Sequence, residues 1–187
     1  MIADTIRRLA LVAIAALAVT LVASPADATP DEWRRHGDKE LGATFELPAD
    51  WTLRAHDDLG PRARLRGFTG ESADGRARVL VARVPRNDPA RSLEEALESF
   101  KECFLRATDL ERVSAQTQHG ARALHCPDAH GPIGGLDARF RLVVIALPAG
   151  KGWLGVFVAG ERDEFAAIDD TARRIVESVK PAGRRIV

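Results

Sequence analysis

Short apolar runs, each closed by glycine, proline or aspartate, indicate that most of this chain folds into β-strands. Segment 142–147 is apolar at every position, which is typical of a central strand covered on both faces. Segments 62–69 and 77–84 flank a turn-rich joint and therefore predict a β-hairpin. Eight strands are expected, over residues 43–47, 51–54, 62–69, 77–84, 111–117, 121–126, 137–147 and 153–159.

Two other segments carry apolar residues at helical spacing. The first begins at Ser92, which has the spacing of a capping box with Glu95, and it continues to Ala107. The second covers 163–179 and ends before Pro181. Each helix is expected to bury its apolar face against the sheet. The i,i+4 spacing also predicts two ion pairs on the outer face of the second helix, Asp169–Arg173 and Asp170–Arg174.

The order of these elements is strands, helix, strands, helix. Blocks of consecutive strands favour an antiparallel sheet with separate helices over a doubly wound parallel sheet. The expected fold class is therefore α+β, with one mainly antiparallel sheet and two amphipathic helices. If the two helices lie on opposite faces of the sheet, the domain is a three-layer α/β/α sandwich.

The N-terminal segment has the three parts of a secretory signal peptide. Arg7 and Arg8 precede the apolar stretch 9–22, and the sequence Ala-Asp-Ala at 26–28 offers small residues to a signal peptidase. The apolar stretch is shorter than the roughly 20 residues of a permanent membrane span. Paired arginines also open twin-arginine signals, but the leucine-alanine-leucine that follows is a poor continuation, so general secretion is favoured. We expect cleavage near Ala28 and a mature protein that is periplasmic or secreted, with no stable membrane span.

The whole pattern divides the chain into four parts. A signal peptide covers 1–28, and a loose N-terminal lead-in covers 29–40. Residues 41–180 are expected to form a single domain, and 181–187 a C-terminal tail. The length left after cleavage is enough for one domain with a sizeable core.

Charge is balanced overall, with 27 basic and 27 acidic residues, which argues against nucleic acid as a partner. One predicted strand nevertheless concentrates positive charge. Arg62, Arg64 and Arg66 alternate, so they share one face, and Arg76 and Arg78 lie across the hairpin. Such a face could receive an acidic partner or an anionic glycan or lipid headgroup. A solvated strand face is the alternative interpretation.

Cys103 and Cys126 are the two cysteines of the chain. An even count in an exported protein indicates a disulfide, which here would staple the first helix to a strand. The alternative is two separate buried thiols.

The segment 125–130, His-Cys-Pro-Asp-Ala-His, brings potential metal ligands together. His125 and His130 are weak candidates, because their spacing fits no standard zinc pattern and Cys126 is assigned to the disulfide. Neighbouring residues of a strand also point to opposite faces, which separates His125 from Cys126. A strand end that runs into a loop rich in proline and glycine is therefore the favoured interpretation, and no metal is predicted.

Motifs for cofactor binding or nucleophilic catalysis are not evident. The glycine-rich stretch 131–135 lacks the lysine of a phosphate loop and precedes a strand. The serines fall in turns, caps and helices, outside any G-x-S-x-G motif. We expect no cofactor and favour a protein that is not an enzyme.

The segment 45–51, Phe-Glu-Leu-Pro-Ala-Asp-Trp, resembles the opening of PsbP-like/MOG-like proteins, a superfamily that includes DcrB-type exported bacterial proteins. The helix that starts at Ser92 and the closing segment from Phe165 to Val179 lie where those proteins place corresponding elements. The resemblance covers roughly 41–180 and implies an α/β/α sandwich. It also implies a binding or assembly role, since few members are enzymes, and it transfers no catalytic residue.

The preferred hypothesis is an exported, non-enzymatic binding or assembly module, whose partner is an unknown protein or a small anionic ligand. One alternative is a small periplasmic metal-dependent or hydrolytic enzyme that uses the loop from His125 to His130. That hypothesis requires His119, His125 and His130 to converge on a pocket. A further alternative is an immunity-type inhibitor of a secreted toxin.

Overall fold

The computed structural model describes residues 32–59, 65–84, 92–105, 110, 112–133, 136–148 and 152–182. The predicted signal peptide, Arg62, Arg64, Ala107 and the C-terminal residues 183–187 lie outside this part of the chain. No helix among the described residues is long and apolar enough to cross a bilayer.

A large antiparallel sheet forms the centre of the described protein. Its strands are β3 (Thr52–Leu59), β4 (Leu65–Glu71), β5 (Ala77–Val84), β6 (Ser114–Gln118), β7 (Ala121–Ile133), β8 (Leu136–Ala146) and β9 (Trp153–Glu161). They are hydrogen-bonded in the order β3-β4-β5-β9-β8-β7-β6, and each neighbouring pair is antiparallel. The apolar strands β8 and β9 lie inside the sheet, as their sequences predict.

A second, smaller sheet contains β1 (Trp33–Asp38), β2 (Ala43–Pro48) and β10 (Lys180–Pro181), with β2 in the middle. The predicted strand 43–47 is thus confirmed, but it does not join the other seven in one sheet. The expected loose lead-in is wrong at β1. This segment lacks an apolar alternation, and its extended conformation comes from antiparallel pairing with β2 along its whole length.

Two α-helices are present, α1 (Leu93–Phe104) and α2 (Asp169–Ser178). The Ser92 side chain accepts a hydrogen bond from the Glu95 backbone N–H at 3.2 Å, which confirms the predicted cap. The predicted second helix is divided, because a 3-10 turn at Phe165–Ala167 precedes α2.

The two helices cover opposite faces of the large sheet, so the α+β class and the layered sandwich are confirmed. On one face, α1 packs on Ala82, Leu124, Phe140, Leu142, Val144 and Phe157. On the other face, α2 and the small sheet enclose Val79, Val81, Val143, Ile145, Val156 and Val158. Because successive side chains of a strand point to opposite faces, the strands of the large sheet contribute to the core on both sides.

Candidate functional site

A cleft of about 380 Å³ opens between the β6–β7 edge of the large sheet and the C-terminal half of α2. We call it the α2 cleft. Its volume lies within the range of small-molecule sites. Polar and charged side chains line it together with apolar ones, and the polar members that matter most are Gln118, His119, His125, Arg141, Arg173 and Glu177.

Gln118 joins the edge strand β6 to the end of α2. Its Nε2 donates to the backbone carbonyl oxygens of Val176, Glu177 and Val179, at 3.0, 3.3 and 2.8 Å. The last carbonyls of a helix have no partner within the helix, so this side chain caps α2. Gln118 is only 8 % exposed, and its Oε1 is buried with no hydrogen-bond partner among the described residues.

His119 and Gly120 form the turn between β6 and β7. Gln118 pairs with Ala121, which leaves a two-residue loop, and φ is +48° at His119 and +79° at Gly120. Positive φ at both positions is the signature of a type I′ hairpin turn. The turn brings His119 Nε2 to 3.0 Å from the carbonyl oxygen of Glu177, to which it donates. His119 thus provides a second contact, after that of Gln118, between the rim of the cleft and α2.

Arg141 of β8 forms a bidentate ion pair with Asp169 in the first turn of α2. The Nε–Oδ1 and Nη2–Oδ2 distances are both 2.7 Å, and the Arg141 side chain is 18 % exposed. These hydrogen bonds lower the pKa of Asp169 and raise the pKa of Arg141. The pair fixes the N-terminal end of α2 on the sheet.

The Arg141–Asp169 pair predicts a pH dependence of stability. Because the folded protein lowers the pKa of Asp169, its contribution is full above the ordinary value of 3.8 and is lost as the pH falls through the lower folded value. Asp169→Asn should therefore destabilise the protein at neutral pH, and its deficit relative to wild type should shrink on acidification. Urea unfolding across this pH range measures the effect.

The matched control is Asp170→Asn, one residue further along the helix. The Asp170 side chain is 92 % exposed, so its surface pair with Arg173 should contribute little at any pH. An equal, pH-independent loss in both variants would contradict the assignment to Asp169.

A β-bulge interrupts β7 beside the cleft. Cys126 pairs with Leu142 and Ala129 pairs with Phe140, so β7 carries one extra residue between these pairs. The bulge accommodates Pro127, which cannot donate a ladder hydrogen bond. The predicted strand end at Cys126 is wrong for this reason, because the strand continues through the bulge to Ile133. The pKa of Asp128, inside the bulge, is lowered by its 2.8 Å hydrogen bond from Arg139 Nε.

His125 is half-buried in the wall of the cleft, and its Nε2 has no hydrogen-bond partner in the described structure. Burial lowers the pKa of His125, while the nearby Glu177 acts in the opposite direction. The next residue, Cys126, belongs to the core beneath α1. The predicted opposite orientation of His125 and Cys126 is confirmed.

Two of the three histidines that the enzyme hypothesis requires lie at the cleft. His119 and His125 line it, whereas His130 lies beyond the bulge, where it pairs with Arg139. Within the described residues, no group of three or more His, Cys, Asp or Glu side chains is placed to hold a metal ion.

The predicted Cys103–Cys126 disulfide is not present in the structure. Cys126 is buried in the core under α1, and Cys103 is half-buried on α1 itself. Burial raises the pKa of the Cys126 thiol, which disfavours the reactive thiolate.

The described part of the predicted arginine face is ion-paired. Arg78 contacts Glu71 at 3.4 Å, and Arg76 contacts Asp74 at 3.7 Å. Since Glu71 pairs with Arg78 in the ladder, these arginines lie at the opposite end of β4 from Arg66. Arg66 itself contacts three carboxylates, those of Asp38, Glu40 and Asp57.

The arrangement of layers is similar to that of a solved cyanobacterial protein. The solution structure of cyanobacterial PsbP (CyanoP) from Synechocystis sp. PCC 6803 superposes with a TM-score of 0.54 at 13% identity, over 87% of this chain and 98% of that chain. The protein has the PsbP-like fold. At this identity the likeness shows the fold alone, and the PsbP-like fold implied by the resemblance over roughly 41–180 is confirmed.

Two other solved structures match this chain with lower superposition scores. PA94, a protein of unknown function from Pseudomonas aeruginosa, has 16% identity and a TM-score of 0.47, over 80% of this chain and 96% of that chain. LpqN, involved in cell envelope biogenesis of Mycobacterium tuberculosis, has 18% identity and a TM-score of 0.47, over 81% of this chain and 93% of that chain. No protein-family model matches the sequence, and no curated protein matches it significantly.

No local sequence pattern predicts Gln118, Arg141, Arg173 or Glu177 as residues of a site. Each belongs to an ordinary strand or helix pattern, and they meet only because β6 and β8 lie under α2. One local signal was available. The His-Gly pair at 119–120 suits a tight hairpin, and such a turn places its histidine at the end of the edge strand.

Proposed function

We propose that this protein is an exported, non-enzymatic module that binds a small polar ligand in the α2 cleft. The observation that carries the proposal is the pair of buried atoms without partners, Gln118 Oε1 and His125 Nε2, at one concave site. A buried polar group without a partner costs about 1–3 kcal/mol. A ligand seated in the cleft would recover part of that free energy by supplying hydrogen bonds.

The cleft also suits binding because α2, which forms one of its walls, is fixed to the sheet at both ends. Arg141 fixes the start of α2 to the sheet, and Gln118 fixes its end. A preorganised wall loses little conformational entropy when a ligand binds. The resemblance to PsbP-like proteins, most of which are binding or assembly factors, supports the same role.

The binding test is a titration followed by NMR. The ¹⁵N-labelled protein is mixed with the dialysable fraction of an envelope extract, and amide shifts are mapped onto the sequence. We expect saturable shifts confined to β6, the start of β7 and the C-terminal half of α2. Shifts confined to another surface, or none at any concentration, would contradict the proposal.

Export is tested separately by the N-terminus of the protein recovered from the periplasmic fraction of a bacterial host. Cleavage near Ala28 predicts that the recovered protein begins at or close to Thr29. A product that keeps residues 1–28 and stays with the cytoplasm would contradict export.

Export would also expose Cys103 and Cys126 to an oxidising compartment. Cys126 lies in the core beneath α1 and Cys103 lies on α1, so both belong to the same side of the sheet. We propose that the bridge forms after export and that periplasmic protein shows no reactive thiol when counted under denaturing conditions. Two reactive thiols would reject it, and the same protein after reduction is the control.

A further inference from the structure

The wall of the α2 cleft separates positive and negative charge along one helix. Arg173 and Glu177 both line the cleft and stand four residues apart, so they lie on the same side of α2. At 1.5 Å rise per residue, their positions differ by about 6 Å along the helix axis. A ligand that engages both must therefore carry opposite charges about one helical turn apart.

The Glu177 end of the cleft favours a hydrogen-bond donor that carries positive charge. The Glu177 carboxylate stands at the C-terminal end of α2, where the helix dipole is negative. The acceptor Gln118 Oε1, buried and without a partner in the described structure, belongs to the same end because its amide caps that helix. An ammonium group supplies several donors to such a set of acceptors.

The Arg173 end favours a carboxylate. Arg173 Nη2 is 2.6 Å from Asp170 Oδ1, but this is an exposed i,i+3 pair with side chains 55% and 92% exposed. Such pairs contribute little, so the guanidinium can exchange Asp170 for an anionic group in the cleft. Arg141 lies nearby, but its bidentate pair with Asp169 neutralises its charge, so Arg173 is the residue that attracts an anion at this end.

We infer that the ligand of the α2 cleft is a small zwitterion of dipeptide length, with its ammonium group at Glu177 and its carboxylate at Arg173. The inference rests on the proposed function and specifies its ligand class. Two extended residues span at most about 7 Å, which matches one helical turn, whereas a single amino acid is too short. The apolar part of the wall, formed by Pro127 and Val176, accommodates small aliphatic side chains.

Four probes test the inference in ¹⁵N-NMR titrations of the purified protein. They are L-alanyl-L-alanine, its N-acetyl derivative, its C-terminal amide and free L-alanine. We expect the unmodified dipeptide to shift cleft amides, and each other probe to bind at least about tenfold more weakly, a difference of about 1.4 kcal/mol. Equal binding of the N-acetyl form would indicate a plain anion site, and equal binding of alanine would contradict the charge spacing. Either result overturns the inference, as does the absence of dipeptide binding.

Two variants assign the charges to residues. In Glu177→Gln, the preference for the free dipeptide over its N-acetyl derivative should fall to about twofold or less, because the negatively charged acceptor of the ammonium is gone. In Arg173→Gln, the free dipeptide and its amide should bind equally. Arg162→Gln and Glu164→Gln, at exposed ion pairs away from the cleft, are the matched controls and should keep wild-type discrimination.

The titration with envelope extract distinguishes a failure of the ligand class from a failure of the binding function. If the envelope extract shifts cleft amides and the dipeptide does not, the ligand class is wrong and the binding function stands. If neither shifts them, both fail.

Discussion

Replacing Gly155 with alanine should destabilise the protein by about 3 kcal/mol, the upper end of the usual range for overpacking a core. A Cβ at this position would lie 2.3, 2.4 and 2.9 Å from three atoms of the Phe100 ring. Phe100 is fully buried, and its ring also packs against Phe104 and Phe157, with centroids at 4.9 and 6.1 Å. The ring therefore has no free space to move into, and α1 would have to lift from the sheet. Urea unfolding measures the loss.

The double variant Gly155→Ala/Phe100→Leu tests the stated cause. Shrinking the ring removes the clash, so the double variant should be clearly more stable than the sum of the two single losses predicts. Additive losses would show that Gly155 matters for a reason other than its contact with Phe100.

Replacing Gln118 with glutamate should cost about 3 kcal/mol at neutral pH, although the side chain keeps its size. The introduced carboxylate cannot donate to the three carbonyl oxygens that the amide now caps. It also places negative charge at the negative end of α2. Protonation restores one donor, so the loss should diminish as the pH falls. Thermal or urea unfolding at several pH values gives the result.

Gln116→Glu is the matched control on the same edge strand. Gln116 is exposed, and its Nε2 donates only to Ser114 Oγ at 3.1 Å among the described contacts. Its replacement should change the stability by less than about 0.5 kcal/mol. A similar loss in both variants would mean that β6 tolerates no added charge, and the capping role of Gln118 would be wrong.

Elements with a strong apolar period could be predicted from the sequence. The buried residues of α1 are Leu93, Ala96, Leu97 and Phe100, all of which belong to the stripe that the helical spacing predicts. The predicted stripe also includes Cys103 and Phe104, which are half-buried. The run 142–147 lies inside the sheet, because a strand that is apolar at every position is stable only where both of its faces are buried. Local pattern and final burial agree at these places.

Strand β1 and the second half of β7 were not predicted, because tertiary pairing outweighs local pattern. β1 has no apolar alternation, and its hydrogen bonds with β2 account for its conformation. β7 contains Pro127, which in the sequence indicates the end of a strand because proline lacks a backbone N–H. The bulge removes that conflict by taking the proline out of the regular ladder.

The ion pairs of α2 show why the site could not be predicted from spacing. The i,i+4 rule pairs Asp169 with Arg173, but in the folded protein Asp169 binds Arg141, 28 positions away along the chain. Gln118 likewise caps a helix whose end lies 61 positions further on. Such contacts depend on which strand lies beneath which helix, and a single sequence does not encode that in any local pattern.

The central claim is that the α2 cleft binds the ligand, and a pair of histidine variants tests it most directly. His125 lies in the cleft wall, while His56 is half-buried on β3, at the opposite edge of the same sheet, with Nε2 2.7 Å from Thr69 Oγ1. In the NMR titration with envelope extract, His125→Leu should abolish the amide shifts around the cleft and His56→Leu should leave them unchanged. Unchanged shifts in His125→Leu, in a variant whose spectrum shows the native fold, would contradict the account.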